Sequence, residues 1–597
     1  MPGIYGYLKN HSSEISQLNK MSNAMYTHPH FIQDFKFEDE NIAASRVHIG
    51  VIGESRSPTI IDSIYIWIEG ESYNLDNLSK IFNFQSSGLA ESLIEAYQKK
   101  KLNHFLHQLD GYFCAILYDT KEKKVKLISD RYGMRPLYWY SYQNTFAWAS
   151  EIKGILSLDN LNKEIDPNAF PCFLDLGYLL DEHTWFQHIK LIKPASIIDI
   201  DINSKKTTHT YYWKWSEIKK SSLSFDDAID ELGKRFLEAI KRRFTPHEML
   251  GVSLSGGLDS RAIVAGLAHL FPDYKGYSYT FGIQGCDDIL ISQKVSSISN
   301  WQHDIFPITN TNWISPRISK VWNTDGMFDI RHMHGSEFST IISKKLAINM
   351  NGYAGDAILG GSFLRKLKLD TRATKSNVAP FIKKWSHLLK IEDSFYDIEK
   401  IEPILYMNRI RRFTNMGSIN LLPYIAQRKP FFDNSVVELI FSLPDKFRKN
   451  NRLYSAMLIK FFPEYFKNIP WEKTGYPISK NRLCQFSALF LKKYNSFLKE
   501  KLQFLIPGFK TLSYVDYPTW VRENESNIRF FLNKESILVK ESIFPKLGLL
   551  LNTHFSVKED LSDKILRLLT IEIYLQNLSG SFFSDPIILP IKSEYTD

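Results

Sequence analysis

Residues Met249 to Arg261, MLGVSLSGGLDSR, limit what this chain can fold into more than any other stretch. A short apolar run enters a loop of small and hydroxyl-bearing residues, Ser253-Leu254-Ser255-Gly256-Gly257-Leu258-Asp259-Ser260. That loop opens a helix beginning Ala262-Ile263-Val264. Two adjacent glycines let the backbone approach a ligand closely and adopt conformations a side chain would forbid. The hydroxyls of Ser255 and Ser260, with the free N–H groups of a helix start, make an anion site. Asp259 places a carboxylate in that cradle, which suits an anion only when Mg²⁺ is present as well. A nucleotide phosphate with its metal meets both demands. No Gly-Lys-Ser/Thr follows, so this is no Walker loop. An ordinary glycine-rich strand–helix turn is the plain alternative.

Two further stretches repeat the strand–loop–helix pattern. Tyr277-Ser278-Tyr279-Thr280-Phe281-Gly282 reads as a strand, followed by Asp287-Asp288 and a helix from Ile289 to about Ile298. The two aspartates read as caps of that helix. Leu346 to Gly361 reads as an apolar strand ending in a glycine-rich loop with one aspartate, Asp356. Taken alone, Gly-x-x-Gly-Asp is a capped turn more often than a metal site. Paired with the first loop, Asp259 and Asp356 can hold Mg²⁺ between them against ATP phosphates. The alternation implies a doubly wound parallel sheet with its ligand at the carboxyl edge. A helix upstream has Ser224 as N-cap and Asp227 at the third position, and Phe225, Ile229, Leu232, Phe236 and Ile240 form its core face.

The N-terminal third reads differently. A strand begins at once near Gly3, and short β runs recur at Ile42 to Ile52, Ser63 to Glu69, Gly111 to Asp119, Lys124 to Ser129, Leu137 to Tyr140 and Thr145 to Ala149. A helical patch, Leu89 to Lys100, has Ser87 nearby as a candidate cap. These segments describe a layered α+β domain. A chain of 597 residues needs two to four domains. Its net charge of +9 is spread out. The largest basic cluster, Lys241-Arg242-Arg243, sits at a helix end where cations complement the dipole, so nucleic acid is not expected. Four scattered cysteines show no metal spacing, which fits a reducing cytoplasm. No apolar run reaches the length of a membrane span and no leader is evident; neither secretion nor a membrane anchor is expected.

The Ser255–Ser260 loop resembles the SGGxDS pyrophosphate loop of ATP pyrophosphatases, which release pyrophosphate and leave AMP on the substrate. Leu109-Asp110-Gly111-Tyr112-Phe113, Ser129-Asp130-Arg131-Tyr132-Gly133-Met134-Arg135-Pro136-Leu137-Tyr138, Ala149-Ser150-Glu151-Ile152-Lys153 and Leu191-Ile192-Lys193-Pro194-Ala195 look like the glutaminase domain of asparagine synthetases. The resemblance covers roughly residues 1 to 480. It implies an N-terminal nucleophile-hydrolase-like glutamine amidotransferase domain over 1–205, an ATP pyrophosphatase domain over 206–480, and a helical extension over 481–597. It also implies that Ser253, Leu254, Ser255, Gly256, Gly257, Leu258, Asp259 and Ser260, with Phe281 and Gly352, hold ATP. Lys473, in Ile469-Pro470-Trp471-Glu472-Lys473-Thr474-Gly475, stands where synthetases place a lysine on the phosphates and adenylate. Its charge would stabilise the transition state, although a lone lysine is usually a solvated surface group. Arg428-Lys429-Pro430-Phe431-Phe432-Asp433 matches a structural turn of the family.

The chain departs from the family at decisive places. The family's catalytic thiol follows the initiator methionine, and here that residue is Pro2, which offers no nucleophile. The family's Asn-Gly-Glu oxyanion triplet is Glu69-Gly70-Glu71, and a carboxylate at Glu69 would repel a developing oxyanion. Arg46 and Asp110 match positions that hold the glutamine's carboxylate and amine, so the domain carries the outline of an inactive glutamine pocket. In the loop that reads SGEGSDE in asparagine synthetases, Tyr353 and Ala357 replace the two glutamates. β-Lactam synthetases carry a tyrosine at the first place, in a catalytic dyad with a glutamate that has no counterpart in Arg411-Arg412-Phe413-Thr414-Asn415. Tyr353 is thus a candidate catalytic residue or a packing residue.

The expectation is an AMP-forming ligase that uses ATP and Mg²⁺ to adenylate a small-molecule or peptide carboxylate and passes it to ammonia or an amine. One variant makes an asparagine-like amide from ammonia. The other makes a lactam or macrolactam, as lasso-peptide cyclases do, or modifies a glycan or peptide. A homodimer is left open. An RNA-modifying pyrophosphatase-loop protein would bring paired cysteines or a basic appended domain. A dead binding protein would have no reason to retain Ser255, Gly256, Gly257, Asp259, Ser260, Asp356 and Lys473 together.

Overall fold

The computed structural model describes residues 2–9, 16–52, 56–86, 88–369, 371–396, 399–480 and 513–580. Two antiparallel sheets form the N-terminal part. One runs in the order Ile189–Leu191, Tyr138–Tyr142, Thr145–Ala149, Gly3–Leu8, Ile42–His48, Ile32–Gln33, with Phe37–Glu38 also on Ile42–His48. The other runs Thr207–Tyr211, Ser196–Asp201, Lys124–Ser129, Gly111–Asp119, Ile64–Ser72, Thr59–Ile61. Apolar side chains of both sheets, including Ile4, Ile42, Trp67, Ile116 and Trp148, close one core. Residues at alternate positions point to one face, so the two sheets sandwich that layer. Thr207–Tyr211 pairs with Ser196–Asp201, so the first unit runs past the boundary expected at 205. The helix expected at Leu89 to Lys100 spans Leu89–Gln98, with Gly88 at its N-cap position; Ser87 lies outside the described residues.

A five-stranded parallel sheet follows, ordered Gln302–Pro307, Tyr277–Gly282, Leu250–Ser253, Ile348–Met350, Ala426–Arg428. The central strand is the one that feeds the Ser255–Ser260 loop. Helix Phe225–Arg242 leads into it and starts as its sequence dictates: the Ser224 hydroxyl oxygen accepts the Asp227 N–H at 3.2 Å. Ile229, Leu232, Phe236 and Ile240 are buried along one face, and Phe225 is partly buried against the same core. The fold is therefore an α+β sandwich followed by a doubly wound α/β domain, as expected.

The described part of the C-terminal extension, 513–580, is helical and touches both units. In helix Ser562–Ser579, Thr570 Oγ1 accepts the Ile330 N–H at 3.0 Å, and Arg567 Nη1 donates to the Leu174 carbonyl at 2.7 Å. Its Tyr574 ring lies 5.8 Å from Trp185. Among the described residues, no helix is long and apolar enough to cross a membrane.

Candidate functional site

A cavity of about 430 Å³ opens at the carboxyl edge of the parallel sheet. Its lining includes Ser253, Ser255, Gly257, Leu258, Asp259, Ser260, Phe281, Gly352, Tyr353, Asp356 and Lys473. Residues from four separate stretches of sequence thus meet in one space. Leu254 and Gly256, expected with the same loop, are not among that lining. Leu254 is buried and donates its N–H to the Tyr279 carbonyl at 2.8 Å. Gly256 gives its N–H to Asp288 Oδ1 at 2.8 Å.

That last bond also corrects the reading of Asp287 and Asp288 as caps. Cys286 occupies the N-cap position without a side-chain bond, and both aspartates sit in the first turn of Asp287–Ser299. Asp288 instead anchors the first loop. The loop is braced internally as well: Ser260 Oγ accepts the Ser255 N–H at 3.0 Å, and Ser255 Oγ accepts the Gly257 N–H at 3.2 Å. Such bonds fix a small polar cradle before any ligand arrives.

The Asp259 and Asp356 loops touch. Asp259 Oδ2 accepts the Asp356 N–H at 2.8 Å, and Asp259 Oδ1 accepts the Tyr454 hydroxyl at 3.0 Å. Only glycine fits this approach. A Cβ on Gly355 would lie 2.5 Å from Asp259 Cγ, and one on Gly352 would lie 2.8 Å from the Ser260 nitrogen. Burial, and next the Asp356 carboxylate, push the Asp259 carboxyl up to about 8. Two crowded carboxylates of this kind form an all-oxygen donor set that suits Mg²⁺. Among the described residues no third His, Cys, Asp or Glu joins them, so phosphate oxygens and water would complete a coordination shell.

Lys473 reaches the same place from the far side. Arg261, buried in helix Asp259–Leu270, donates through Nη2 to the Gly256 carbonyl at 2.9 Å and the Pro470 carbonyl at 2.8 Å. The Glu472 N–H donates to the Gly256 carbonyl at 3.3 Å. The segment carrying Lys473 is therefore docked on the glycine-rich loop itself. Lys473 Nζ stands 4.0 Å from Asp356 Oδ2 with its side chain half-exposed, and it lies 5.4 Å over the Trp471 ring.

Tyr353 behaves as a wall. It is buried, its hydroxyl donates to the Ile410 carbonyl at 2.7 Å, and its ring lies 5.4 Å from Phe432. Burial raises its phenol well above the ordinary value. A phenol whose proton is given to a backbone carbonyl fits the packing reading of the two that the sequence offers. The partner carbonyl belongs to a π-helix, Tyr406–Thr414, against which the loop packs. His334, which sequence reasoning missed, lines the cavity too. Its ring nitrogens meet Tyr517 Oη at 2.8 Å and Tyr514 Oη at 3.1 Å.

The residues expected to outline a glutamine pocket have partners within the protein. Arg46 Nε donates to Asp34 Oδ2 at 2.6 Å and Nη1 to the Ile68 carbonyl at 2.7 Å. Glu69 is buried with Arg135 Nη1 at 3.5 Å. Gly70 has φ +125°, and a Cβ there would lie 2.0 Å from the Tyr112 carbonyl oxygen. Glu71 pairs with Arg428 at 2.9 Å, and Asp110 accepts from Arg243 Nη2 at 2.9 Å. Pro2 is buried just ahead of the first strand. Arg46 and Asp110 therefore face different partners, Asp34 and Arg243. The reason is charge: Arg243 and Arg428 of the second unit are buried guanidinium groups, and Asp110 and Glu71 are their counter-ions. Arg243, expected to serve a helix dipole, is fully buried and also donates Nη1 to Asp433 Oδ2 at 2.7 Å. The turn Arg428 to Asp433 is structural as expected, and Asp433 caps the helix Asn434–Ser442.

Two family models match the chain: a glutamine amidotransferase domain over residues 1–213 and an asparagine synthase domain over residues 231–416. The glutamine-hydrolyzing asparagine synthetase 3 of Bacillus subtilis is 24% identical over 478 residues, 70% of this chain and 76% of that one. A Methanocaldococcus jannaschii relative bearing an asparagine synthetase name is 25% identical over 333 residues, 53% of this chain and 64% of its own length. The mouse glutamine-hydrolyzing asparagine synthetase is 27% identical over 296 residues, 48% of this chain and 51% of its own. The matched part thus spans less than two thirds of two of these three relatives.

Proposed function

Because the chain belongs to the asparagine synthetase family, we propose that it is an ATP-dependent carbon–nitrogen ligase that adenylates a carboxylate. The observation that carries this reading is the single cavity lined by the Ser255–Ser260 loop, Asp356 and Lys473. A carboxylate oxygen of the acid bonds to the α-phosphorus of ATP as the bond from that phosphorus to the bridging oxygen breaks. Pyrophosphate departs and the acyl-adenylate remains. An amine then bonds to the acyl carbon, the carbon–oxygen bond to AMP breaks, and the nitrogen loses its surplus proton to water.

Each residue has a physical task in this scheme. The braced loop orients the phosphates through the Ser255 and Ser260 hydroxyls and the N–H groups at the start of helix Asp259–Leu270, which follows it. Asp259 and Asp356 would hold Mg²⁺, which supplies charge neutralisation for pyrophosphate. Lys473, tethered by way of Arg261 and Glu472, places a cation at the rim where negative charge grows. Tyr454 and the Asp356 N–H hold the Asp259 carboxylate in one orientation. The nitrogen comes from free ammonia or from an amine on a second substrate. Pro2 and Glu69 supply neither a nucleophile nor an oxyanion donor, and the N-terminal unit is a structural partner of the synthetase unit through Glu71 and Asp110. Product analysis tests the scheme: turnover should release AMP and pyrophosphate, and ADP with phosphate would reject it.

A further inference from the structure

The wall of the cavity beyond the phosphate loops carries a relay of amides whose orientation is forced from two ends. At one end Ser253 donates its N–H to Asn349 Oδ1 at 3.0 Å, which leaves Asn349 Nδ2 to donate to Gln427 Oε1 at 3.0 Å. At the other end Gln427 Nε2 donates to the Ile425 carbonyl at 3.1 Å. Gln427 must therefore present its oxygen to both asparagines. Asn351 Nδ2 donates to that same oxygen at 3.1 Å and toward Ser418 Oγ at 3.4 Å. Asn349 and Gln427 are buried, so an amide flip in either would strand donors against donors. The amide nitrogen of Asn351 is thus spent, and Asn351 lines the cavity. Among the described residues its Oδ1 accepts nothing. The relay ends in a fixed hydrogen-bond acceptor offered to a ligand.

Its position says which ligand. In the sheet, the strand of the Ser255–Ser260 loop lies between Tyr277–Gly282, which ends in Phe281, and Ile348–Met350, which leads to Asn351. Asn351 and Ser418 are on the flank opposite Phe281. The charged residues that line the cavity, among those described, are Asp259, Asp356, Glu472 and Lys473, all on the phosphate side. Among the described residues the Asn351 flank is neutral: Thr414, Gly417, Ser418 and Leu421. Cations are close in sequence but are used elsewhere. Arg411 donates to the Gly133 and Ile192 carbonyls, and Arg412 to those of Leu179 and His183. Lys429 donates to Asn415 Oδ1 at 2.8 Å, and Arg409 lies 3.9 Å over the Phe413 ring.

We propose that Asn351 is a specificity-determining residue: its Oδ1 accepts a hydrogen bond from an N–H or O–H on an acid whose body is otherwise uncharged. A free zwitterionic amino acid would leave an ammonium and a second carboxylate against this neutral flank without counter-ions, which is costly. A carboxylate on an amide or polyhydroxyl body leaves no such charge and supplies the donor that Asn351 needs. This inference rests on the adenylation reading above.

The test is acid-dependent ATP–pyrophosphate exchange by the full chain with three acids: free aspartate, Nα-acetyl-aspartate amide and glucuronate. One of the two uncharged-bodied acids should support exchange at least tenfold faster than aspartate; which one it is separates an amide donor from a hydroxyl donor. Asn351→Leu should raise KM for that acid about tenfold, the size of one lost hydrogen bond, with KM for ATP and the thermal midpoint unchanged. Faster exchange with free aspartate would overturn the inference and keep adenylation. An unchanged acid KM in both Asn351→Leu and Asn351→Ala would remove Asn351 from its role. No exchange with any of the three acids would overturn the adenylation reading and this inference with it.

Discussion

Arg243→Met should be among the most damaging single changes outside the cavity. The guanidinium is fully buried, 2.9 Å from Asp110 and 2.7 Å from Asp433, whose side chains are 4% and 0% exposed. It also lies 4.0 Å over the Tyr73 ring. Removing one partner of a buried pair costs about 3–5 kcal/mol, because the remaining charge stays buried without compensation. Arg242, which pairs with Asp433 and lies 3.9 Å from Asp110, retains part of the compensation. A loss of about 4 kcal/mol is expected at pH 8, read from the shift in urea midpoint at unchanged slope.

The pH dependence has a definite sign. Burial already pushes Asp110 up to about 7 against the pull of Arg243, whereas Arg243 and Arg242 overcome burial and hold Asp433 below the usual carboxylate range. Without Arg243 both carboxyls shift upward in the folded state. A carboxyl raised on folding binds its proton more tightly there, so stability falls as pH rises from its unfolded value, about 4, toward its folded one. The penalty should therefore shrink at pH 5 and grow toward pH 8.5. The double variant Arg243→Met/Asp433→Asn, which removes the second charge, should recover at least half of it. A loss under about 1 kcal/mol for the single variant, or strict additivity in the double, would refute the reasoning.

Asp288→Ala should raise KM for ATP about tenfold, because the Gly256 N–H loses its anchor; Asp288→Asn, which keeps an acceptor oxygen, should change it less than threefold. Lys473→Ala should lower kcat by about 10²-fold or more without shifting the urea midpoint, since its side chain is half-exposed; an unchanged kcat would take it out of the chemistry. Tyr353→Phe should cost about 1 kcal/mol of stability and under fivefold in kcat, and a hundredfold fall in kcat at unchanged stability would restore the catalytic assignment. Incubation with glutamine should release no glutamate, and measurable release would overturn the reading of Pro2.

Much of the fold could be read from local pattern. Gly111–Asp119 and Lys124–Ser129 have the ends their sequence predicts, because each is a β run closed by a polar turn. Ser224 caps its helix as its spacing requires. The site was legible where chemistry and local structure coincide, at Ser255, Asp259 and Ser260, and the juxtaposition of Asp259 with Asp356 followed from the parallel-sheet rule. What could not be read depends on long-range partners. Asp288 at a helix start has the same signature whether it caps its own helix or reaches the Gly256 N–H. Tyr454 binds Asp259 across 195 residues of sequence, and no periodicity carries that information. Arg243 looks like a surface cation at a helix end until the N-terminal unit covers it. Asp110 shows the converse: a family position suggested a ligand pocket, and a buried arginine from the other unit claimed the carboxylate.

The central claim is that Asp259 serves carboxylate adenylation in this cavity. The direct measurement is acid-dependent exchange of labelled pyrophosphate into ATP by the full chain and by Asp259→Asn, with circular dichroism to confirm that both are folded. Exchange in the natural protein and its loss by at least a hundredfold in the folded variant is the predicted result. Equal exchange by the two proteins would contradict the claim.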